Sequence, residues 1–280
     1  MPLSDLPTLG ETVRRHGLRA DKSLGQHFLL DPSITDRIAS LCDLPATVLE
    51  VGPGPGGLTR SLIAAGAERV VAVEMDPRFL PALQEVADAT DRLDIIQGDA
   101  LKTDLRDALP DGHIVASNLP YNVGTKLLLD WLTQDPRRWT QLVLMFQLEV
   151  AERVVATPDT SAYGRLAVVS QSIAEAHIAL HVPAGAFSPP PKVNSAVVVL
   201  RPLTEPYSNL DALEKVTRAA FGQRRKMLRA ALKSMAKGAG VKAEDWLESA
   251  DIDPTARAET VPVEGFHRLT DAWVRLGSNR

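Results

Sequence analysis

The sequence lacks the features that typify disulfide-bonded, metal-binding and membrane proteins. Its 280 residues include one cysteine, Cys42, so there is no partner for an internal disulfide and no cysteine cluster for a metal ion. No apolar run approaches the ~18 residues that a membrane-spanning helix needs. Residues 1–15 contain acidic side chains and no apolar core segment, so we expect no secretory signal. These absences predict a cytoplasmic protein without a membrane partner or a metal ion.

The chain also lacks an overall positive charge, which at first argues against a nucleic-acid partner. Its formal net charge is −4, but residues 215–242 carry nine basic side chains and no acidic one. Without this segment the charge falls from −4 to −13. A cationic patch on an anionic body can bind a polyanion locally, whereas a solvated helix face usually carries both signs. The segment therefore predicts an RNA-binding surface that includes Arg224, Arg225, Lys226 and Arg229.

Spacing within that surface leaves one alternative open. On a continuous helix Arg225 and Arg229 share a face, whereas Arg224 and Arg225 point about 100° apart. One of the adjacent pair is therefore expected to face the rest of the protein and to hold two domains together.

Apolar segments alternate with helical patterns through the first half of the chain, which predicts an α/β fold with a parallel sheet. Two later apolar runs, 176–182 and 195–200, are expected to form an antiparallel hairpin at the sheet edge. The pattern after residue 204 is helical throughout. The predicted domains are thus 1–203, with an N-terminal arm at 1–30, and an all-helical domain at 204–280. The expected strands are 47–51, 69–74, 93–97, 113–117 and 141–146, and the expected helices lie near 57–65, 78–88, 124–133 and 148–156.

The first expected strand runs into a loop that reads Gly52-Pro53-Gly54-Pro55-Gly56-Gly57. Glycine permits the turn and a close approach of the backbone to a ligand. A dinucleotide loop offers backbone N–H groups to a pyrophosphate, and proline has none to offer. The loop therefore favours a nucleoside cofactor without phosphate, such as S-adenosyl-L-methionine, with Gly52 and Gly54 at the ligand.

Acidic residues follow the next two expected strands. Glu74 ends the second strand and can accept hydrogen bonds from both ribose hydroxyls of a nucleoside. Asp99 follows the third and is suited to the adenine amino group. Either could instead be a solvated loop carboxylate, but ligands of open α/β sheets bind at the carboxyl ends of strands.

The segment Asn118-Leu119-Pro120-Tyr121 follows the fourth strand. A nucleobase amino group is a poor nucleophile because its lone pair is delocalised, and acceptors aimed at its hydrogens localise that pair. The Asn118 side chain and the Leu119 carbonyl are candidates for these acceptors. Pro120 stiffens the turn, and Tyr121 offers a face for stacking. Phe187, before a proline run, is a candidate for a second face on a flipped base, although it could equally be a core residue.

These residues together resemble the small-subunit ribosomal RNA adenine dimethyltransferases, over residues 18–270. The matching segments have the spacing and order of that family's motifs. They are Leu24-Gly25-Gln26-His27-Phe28-Leu29, Glu50-Val51-Gly52-Pro53-Gly54, Val73-Glu74, Gly98-Asp99-Ala100, Asn118-Leu119-Pro120-Tyr121-Asn122, Glu149-Val150-Ala151-Glu152-Arg153, Tyr163-Gly164-Arg165-Leu166, Phe187-Ser188-Pro189-Pro190-Pro191-Lys192-Val193-Asn194-Ser195 and Phe221-Gly222-Gln223-Arg224-Arg225-Lys226-Met227-Leu228-Arg229.

The resemblance implies a Rossmann-like seven-stranded methyltransferase domain that dimethylates two adjacent adenines near the 3′ end of 16S rRNA. It implies a pre-assembled small ribosomal subunit as substrate, and a monomer is expected. The family's cofactor contacts fall on His27, Leu29, Gly52, Glu74, Asp99 and Asn118 of this chain, and its base-holding aromatics on Tyr121 and Phe187. His27 stands where the family usually has asparagine, so a contact to the methionine end of the cofactor is in doubt.

Two rival functions stay open on the sequence alone. One is dimethylation of a large-subunit rRNA adenine, against which Leu119 and the acidic composition count, since those relatives usually have isoleucine there and are more basic. The other is a ribosome-assembly factor that binds without catalysis, although the glycine loop and the Asn118 segment favour an enzyme.

Overall fold

The computed structural model describes residues 3–21 and 25–278. Leu24, the first residue of one motif, and Lys22 of the arm lie outside the described residues. The described strands are β1 Phe28–Leu29, β2 Thr47–Val51, β3 Arg69–Glu74, β4 Leu93–Gln97, β5 His113–Asn118, β6 Trp139–Gln147, β7 Ala174–Val182, β8 Phe187–Ser188 and β9 Ser195–Pro202. The described helices are α1 Leu9–Arg15, α2 Pro32–Ala39, α3 Gly57–Ala64, α4 Leu80–Ala87, α5 Gly124–Leu132, α6 Leu148–Val155, α7 Arg165–Gln171, α8 Leu210–Phe221, α9 Leu228–Ala231, α10 Lys233–Gly238, α11 Ala243–Ser249 and α12 Val263–Ser278.

Seven of the strands form one sheet in the order β4-β3-β2-β5-β6-β9-β7. The five strands from β4 to β6 are parallel, because the crossovers between them return the chain to the same end of the sheet, through α3, α4 and α5 in three connections and through turns between β4 and β5. β9 is antiparallel to β6. The predicted α/β architecture is therefore confirmed, and the two late apolar runs are neighbours at the sheet edge as expected.

Apolar side chains of the parallel strands make up the core of this sheet. Val48, Ile114 and Val143 are each at most 1% exposed and belong to one cluster with residues of α2 and α3. Strands buried on both faces read as continuous apolar runs, which is why their positions were visible in the sequence.

The arm contains more structure than the sequence predicted. α1 begins with a capping box, in which the Thr8 side chain accepts from the Glu11 N–H and the Glu11 carboxylate accepts from the Thr8 N–H. β1 pairs with β8, so the segment before the proline run is fixed to the arm.

The chain folds into two compact units, each made of two stretches of sequence. The first contains residues 1–151 and 177–201, and the second contains residues 152–176 and 202–280. The second unit has its own core, centred on Trp246, Leu247 and Phe266. It includes residues 152–176, which the sequence prediction had assigned to the first domain. Its helices are not continuous, since turns at 222–226 and a bridge between Met227 and Arg257 separate α8 from α9. No helix in the described ranges is long and apolar enough to span a bilayer.

Candidate active site

A cleft lies at the carboxyl ends of the parallel strands, where β2 has β3 on one side and β5 on the other. The strand order reverses direction at β2, and open α/β sheets bind ligands at such points. Nine of the predicted site residues line the cleft. They are His27, Leu29, Gly52, Gly54, Glu74, Asn118, Leu119, Pro120 and Tyr121.

Glycines at positive φ shape the loop between β2 and α3. Gly52, Gly54 and Gly56 have φ values of 69°, 56° and 88°, a region that side chains with a Cβ rarely adopt. A Cβ at Gly52 would lie 3.4 Å from the ring of Pro120, so this glycine lets the loop pack against the Asn118 segment. A Cβ at Gly54 would meet no atom within 4 Å. The loop thus leaves open space for a ligand beside Gly54.

The Glu74 carboxylate is fixed beside that loop. It is 5% exposed, and its two oxygens accept from the Gly54 N–H at 3.0 Å and the Asp76 N–H at 2.8 Å. Burial raises its pKa above the ordinary carboxylate range, while the two backbone N–H groups oppose the shift. Each carboxylate oxygen keeps a free lone pair, so Glu74 can still accept hydrogen bonds from ligand hydroxyls.

The charges of the cleft select against a phosphate-bearing ligand. Its described lining residues include the acids Glu50 and Glu74 but no lysine and no arginine. Prolines at 53 and 55 remove two backbone N–H donors from the loop. A nucleoside with a cationic centre and no phosphate fits this donor and acceptor set, as S-adenosyl-L-methionine does. Across the described ranges no cluster of three or more His, Cys, Asp or Glu side chains could hold a metal ion.

The Asn118 segment forms a tight turn at the end of β5. The Pro120 carbonyl accepts from the N–H groups of Val123 and Gly124, at 3.2 and 3.1 Å. Leu119 is 2% exposed and anchors the turn in the core. Asn118 is half-buried, and within residues 3–21 and 25–278 its side chain has no hydrogen-bond partner. Its carboxamide oxygen is therefore available to a ligand.

Tyr121 and His27 also line the cleft, and their rings are in contact. The Tyr121 hydroxyl and the buried Ser195 hydroxyl are 2.7 Å apart, and burial raises the Tyr121 pKa. The His27 ring lies 5.6 Å from that of Tyr121, between centroids. Its Nδ1 donates to the Pro189 carbonyl at 2.8 Å, since a carbonyl can only accept. The tyrosine ring is thus braced on two sides.

Two predicted site residues are not among those that line the cleft. Asp99 follows β4, where its carboxylate accepts from the Leu101 N–H at 3.0 Å and pairs with Lys102 at 3.3 Å. The Leu101 N–H is the main reason why its pKa is lowered. Phe187 is 4% exposed, in register with Leu29 across the β1–β8 pair, and belongs to the apolar core. A base-stacking role for Phe187 stays a prediction and requires its ring to become accessible.

Sequence reasoning gave no role to Glu50, which the structure places in the cleft wall. It is 2% exposed and accepts a 2.6 Å hydrogen bond from the Thr59 hydroxyl. Burial raises its pKa to about 8, opposed by the Thr59 hydrogen bond. The sequence signal was an acid inside an otherwise apolar strand, Val-Leu-Glu-Val.

The predicted RNA-binding residues fall into two groups. Arg224 is used within its own unit, where it donates to Glu259 and to the Ser161 and Tyr163 carbonyls at 2.7–3.1 Å. Arg225 and Lys226 are exposed in the turn before Met227. Arg229 lies in α9, so the expected helical face shared by Arg225 and Arg229 is wrong. The reason is the Met227–Arg257 bridge, which interrupts the helix.

Comparisons with known proteins agree on one family. The model of ribosomal RNA adenine dimethylase matches residues 17–273. The ribosomal RNA small subunit methyltransferases A of Xanthobacter autotrophicus and Phenylobacterium zucineum are 54% and 56% identical, over 99% and 98% of this chain and 97% and 95% of theirs. A solved dimethyladenosine transferase from Plasmodium falciparum has a TM-score of 0.79 and 27% identity, covering 90% of this chain and 98% of its own. The 23S rRNA methyltransferase ErmE has a TM-score of 0.65 and 28% identity, covering 88% and 98%.

Proposed function

The chain belongs to the ribosomal RNA adenine dimethylase family, and we propose that it dimethylates two adjacent adenines near the 3′ end of 16S rRNA at N6. We also propose the pre-assembled small ribosomal subunit as its substrate. Relatives named for the small subunit are more than 50% identical over nearly the whole chain, whereas the 23S enzyme is 28% identical. This difference favours the small-subunit target over the large-subunit one.

The proposed cofactor is S-adenosyl-L-methionine, which when bound supplies a methyl group activated by its sulfonium. Glu74 accepts hydrogen bonds from the ribose hydroxyls, and the Gly52–Gly54 backbone allows close approach. His27 and Leu29, which belong to the arm, form part of the cleft wall. Because the described cleft wall has no lysine and no arginine, a cationic ligand meets no permanently positive side chain there.

The observation that carries the proposal is the Asn118 carboxamide, which has no hydrogen-bond partner among the described residues and lines the same cleft as Gly52 and Gly54. The Asn118 oxygen and the Leu119 carbonyl accept hydrogen bonds from the two amino hydrogens of the adenine. These contacts strengthen as the nitrogen becomes tetrahedral, so they stabilise the transition state more than the bound base. Tyr121 supplies a stacking face, and its bond to Ser195 keeps the ring in place. The product ammonium is acidic enough to lose its proton to water.

The partner outside the cleft is rRNA. Arg225, Lys226 and Arg229 are proposed phosphate contacts, because they are basic and have no ion-pair partner within the described ranges. Of the four predicted RNA-binding residues, Arg224 has the least support, because its guanidinium already donates to Glu259 and to the Ser161 and Tyr163 carbonyls. Asp99 is retained as a proposed contact to the adenine of the cofactor. A cytoplasmic monomer without a membrane partner completes the proposal.

The proposal is tested by incubating the protein with labelled S-adenosylmethionine and small subunits from cells that lack the modification. Primer extension should then stop at two adjacent adenines near the 3′ end of 16S rRNA. Asn118→Ala should lower the single-turnover rate at least ~100-fold, the scale of one lost transition-state hydrogen bond, with cofactor affinity within about tenfold of wild type. Gln84→Ala, which removes an exposed amide of α4 outside the cleft lining, is the matched control and should retain the rate.

Each alternative has its own outcome in this experiment. Label in 23S rRNA but not in 16S rRNA would identify a large-subunit enzyme. Tight subunit binding without label would identify a non-catalytic assembly factor. An Asn118→Ala rate equal to that of wild type would remove Asn118 from the catalytic role.

A further inference from the structure

A groove in the C-terminal unit is lined by four basic side chains, Arg229, Lys233, Lys237 and Lys242. The first three are four residues apart, and α9 and α10 are separated by Leu232 alone. Residues at this spacing lie on one side of a helical segment. Lys242 immediately precedes α11, which forms the other side of the groove. The four cations, which lie on α9, on α10 and at the start of α11, therefore line one concave surface, which we call the basic groove.

The cations of the basic groove interact little with the described charges of the protein, although the Arg229 charge adds to the Thr255 hydrogen bonds that lower the pKa of Asp253. Within the described ranges none of the four has a carboxylate at ion-pair distance, whereas Arg218 and Arg224 of the same unit pair with Glu214 and Glu259. Four exposed like charges repel one another, so holding them together without partners is unfavourable unless an anion binds. Glu244 and Asp245 also line the groove, in the first turn of α11, where acids are favoured by the helix dipole.

The floor of the groove indicates what kind of contact it makes. Trp246 is 1% exposed, donates its indole N–H to the Leu269 carbonyl at 2.9 Å, and packs against Trp273 at 4.8 Å between ring centroids. An indole held in this way presents no open face on which a base could stack. Contacts made only by the four basic side chains of the groove recognise charge and not base sequence. Such contacts suit the phosphate backbone of a nucleic acid.

We propose that the basic groove binds the phosphodiester backbone of RNA at a site separate from Arg225 and Lys226. This inference rests on the proposed function, because it takes the rRNA of the small subunit as the polyanion. The groove then anchors the helical unit on the rRNA and contributes affinity, while the cleft of the first unit carries out the chemistry.

The test compares three variants in binding to unmethylated small subunits between 50 and 300 mM salt. The groove variant carries Lys233→Gln, Lys237→Gln and Lys242→Gln. The control variant carries Lys215→Gln, Arg218→Gln and Arg275→Gln, which removes the same charge from the same unit outside the groove. The third variant, Glu244→Gln with Asp245→Asn, removes the negative charge from the groove. Titration with S-adenosylmethionine reports on folding and on the cleft.

The groove variant should lose about 0.7–0.9 from the slope of log affinity against log salt for each lost phosphate contact, which is about 2.1–2.7 for the three lysines. The control variant should change the slope by less than about 0.5. The acid-neutralised variant should bind more tightly than wild type, a gain that unfolding cannot produce. Cofactor affinity should be unchanged in all three. Equal slopes for the groove and control variants, or no gain from the acid-neutralised variant, would overturn the proposal.

A photo-crosslinker at position 237 distinguishes RNA from protein as the occupant. Crosslinks to rRNA support the proposal, and crosslinks only to a ribosomal protein overturn it. These readouts measure binding and not methyl transfer. If wild-type protein bound the subunit without methylating it, the proposed function would fail while the groove proposal would still be decided.

Discussion

Replacing Glu50 with glutamine should change how stability depends on pH. Glu50 is buried in β2, accepts a hydrogen bond from Thr59, and has its pKa raised by burial to about 8 from 4.5. A glutamine has nearly the same shape, and its carboxamide oxygen can accept the same hydrogen bond. The substitution therefore removes the titration while it preserves the packing.

The magnitude follows from the proton that the folded state retains. Below pH 4.5 both folded and unfolded states are protonated at Glu50. Above it the unfolded state ionises first, so the wild-type protein loses stability with rising pH until Glu50 ionises in the folded state near pH 8. One retained proton corresponds to about 1.4 kcal/mol per pH unit, so the stability of Glu50→Gln relative to wild type should rise by about 4 kcal/mol between pH 5 and pH 8.

Urea denaturation of both proteins at pH 5, 6, 7 and 8 measures this difference directly. The comparison cancels the groups whose pKa changes on folding and that do not interact with Glu50, because both proteins contain them. The Glu74 charge adds to the burial that raises the Glu50 pKa, so its contribution belongs to the measured difference. Glu68→Gln, at an exposed position, is the control, and its stability relative to wild type should be constant across the range. Parallel pH profiles for wild type and Glu50→Gln would show that Glu50 is ionised in the folded protein and would refute the reasoning.

Three further predictions concern the cleft and the basic turn. Glu74→Gln should weaken S-adenosylmethionine binding by about 2 kcal/mol, the scale of a hydrogen bond to a charged group, and calorimetry at pH 7 measures the loss. Because burial raises the Glu74 pKa, the affinity of wild type for S-adenosylmethionine should begin to fall, as the pH drops, above the ordinary carboxylate range. The affinity of Glu74→Gln should lack this pH dependence, and identical affinity profiles for the two proteins would move Glu74 out of the site. Tyr121→Ala should weaken subunit binding or turnover by ~1–3 kcal/mol through lost stacking, whereas Tyr121→Phe should retain most activity, and equal effects would argue against stacking. Arg224→Gln should lower stability by about 1 kcal/mol in urea denaturation without changing the salt dependence of subunit binding, and a flatter salt slope would instead assign it to RNA.

Strand positions were predictable because they depend on local sequence. The parallel strands are buried on both faces, and each reads as an apolar run bounded by glycine, proline or polar residues. Thus the run at 69–74 is β3 with the same limits, and the run at 113–117 is β5 with one more residue. The capping box of α1 also has a local sequence signal, Thr8 followed three residues later by Glu11, which the sequence prediction did not use.

The break between α8 and α9 could not be read in the same way. Residues 222–227 have helical composition, and it is the pairing of Met227 with Arg257, thirty residues further on, that interrupts the helix. α7, of sequence Arg-Leu-Ala-Val-Val-Ser-Gln, was not assigned at all. Its Val168 is fully buried in the core of the C-terminal unit, and short apolar helices of this kind have no decisive periodicity.

The sequence by itself determined which residue types stand at the ends of the parallel strands. Since parallel strands bring their carboxyl ends to one edge, Gly52, Glu74 and Asn118 had to meet there, and the prolines of the loop already favoured a cofactor without phosphate. Tertiary structure decided the rest, because burial and partners depend on segments distant in the chain. Phe187 is buried where β8 pairs with β1, and burial of the Glu50 carboxyl raises its pKa. The carbonyls of Ser161 and Tyr163 engage Arg224, which the sequence had assigned to RNA.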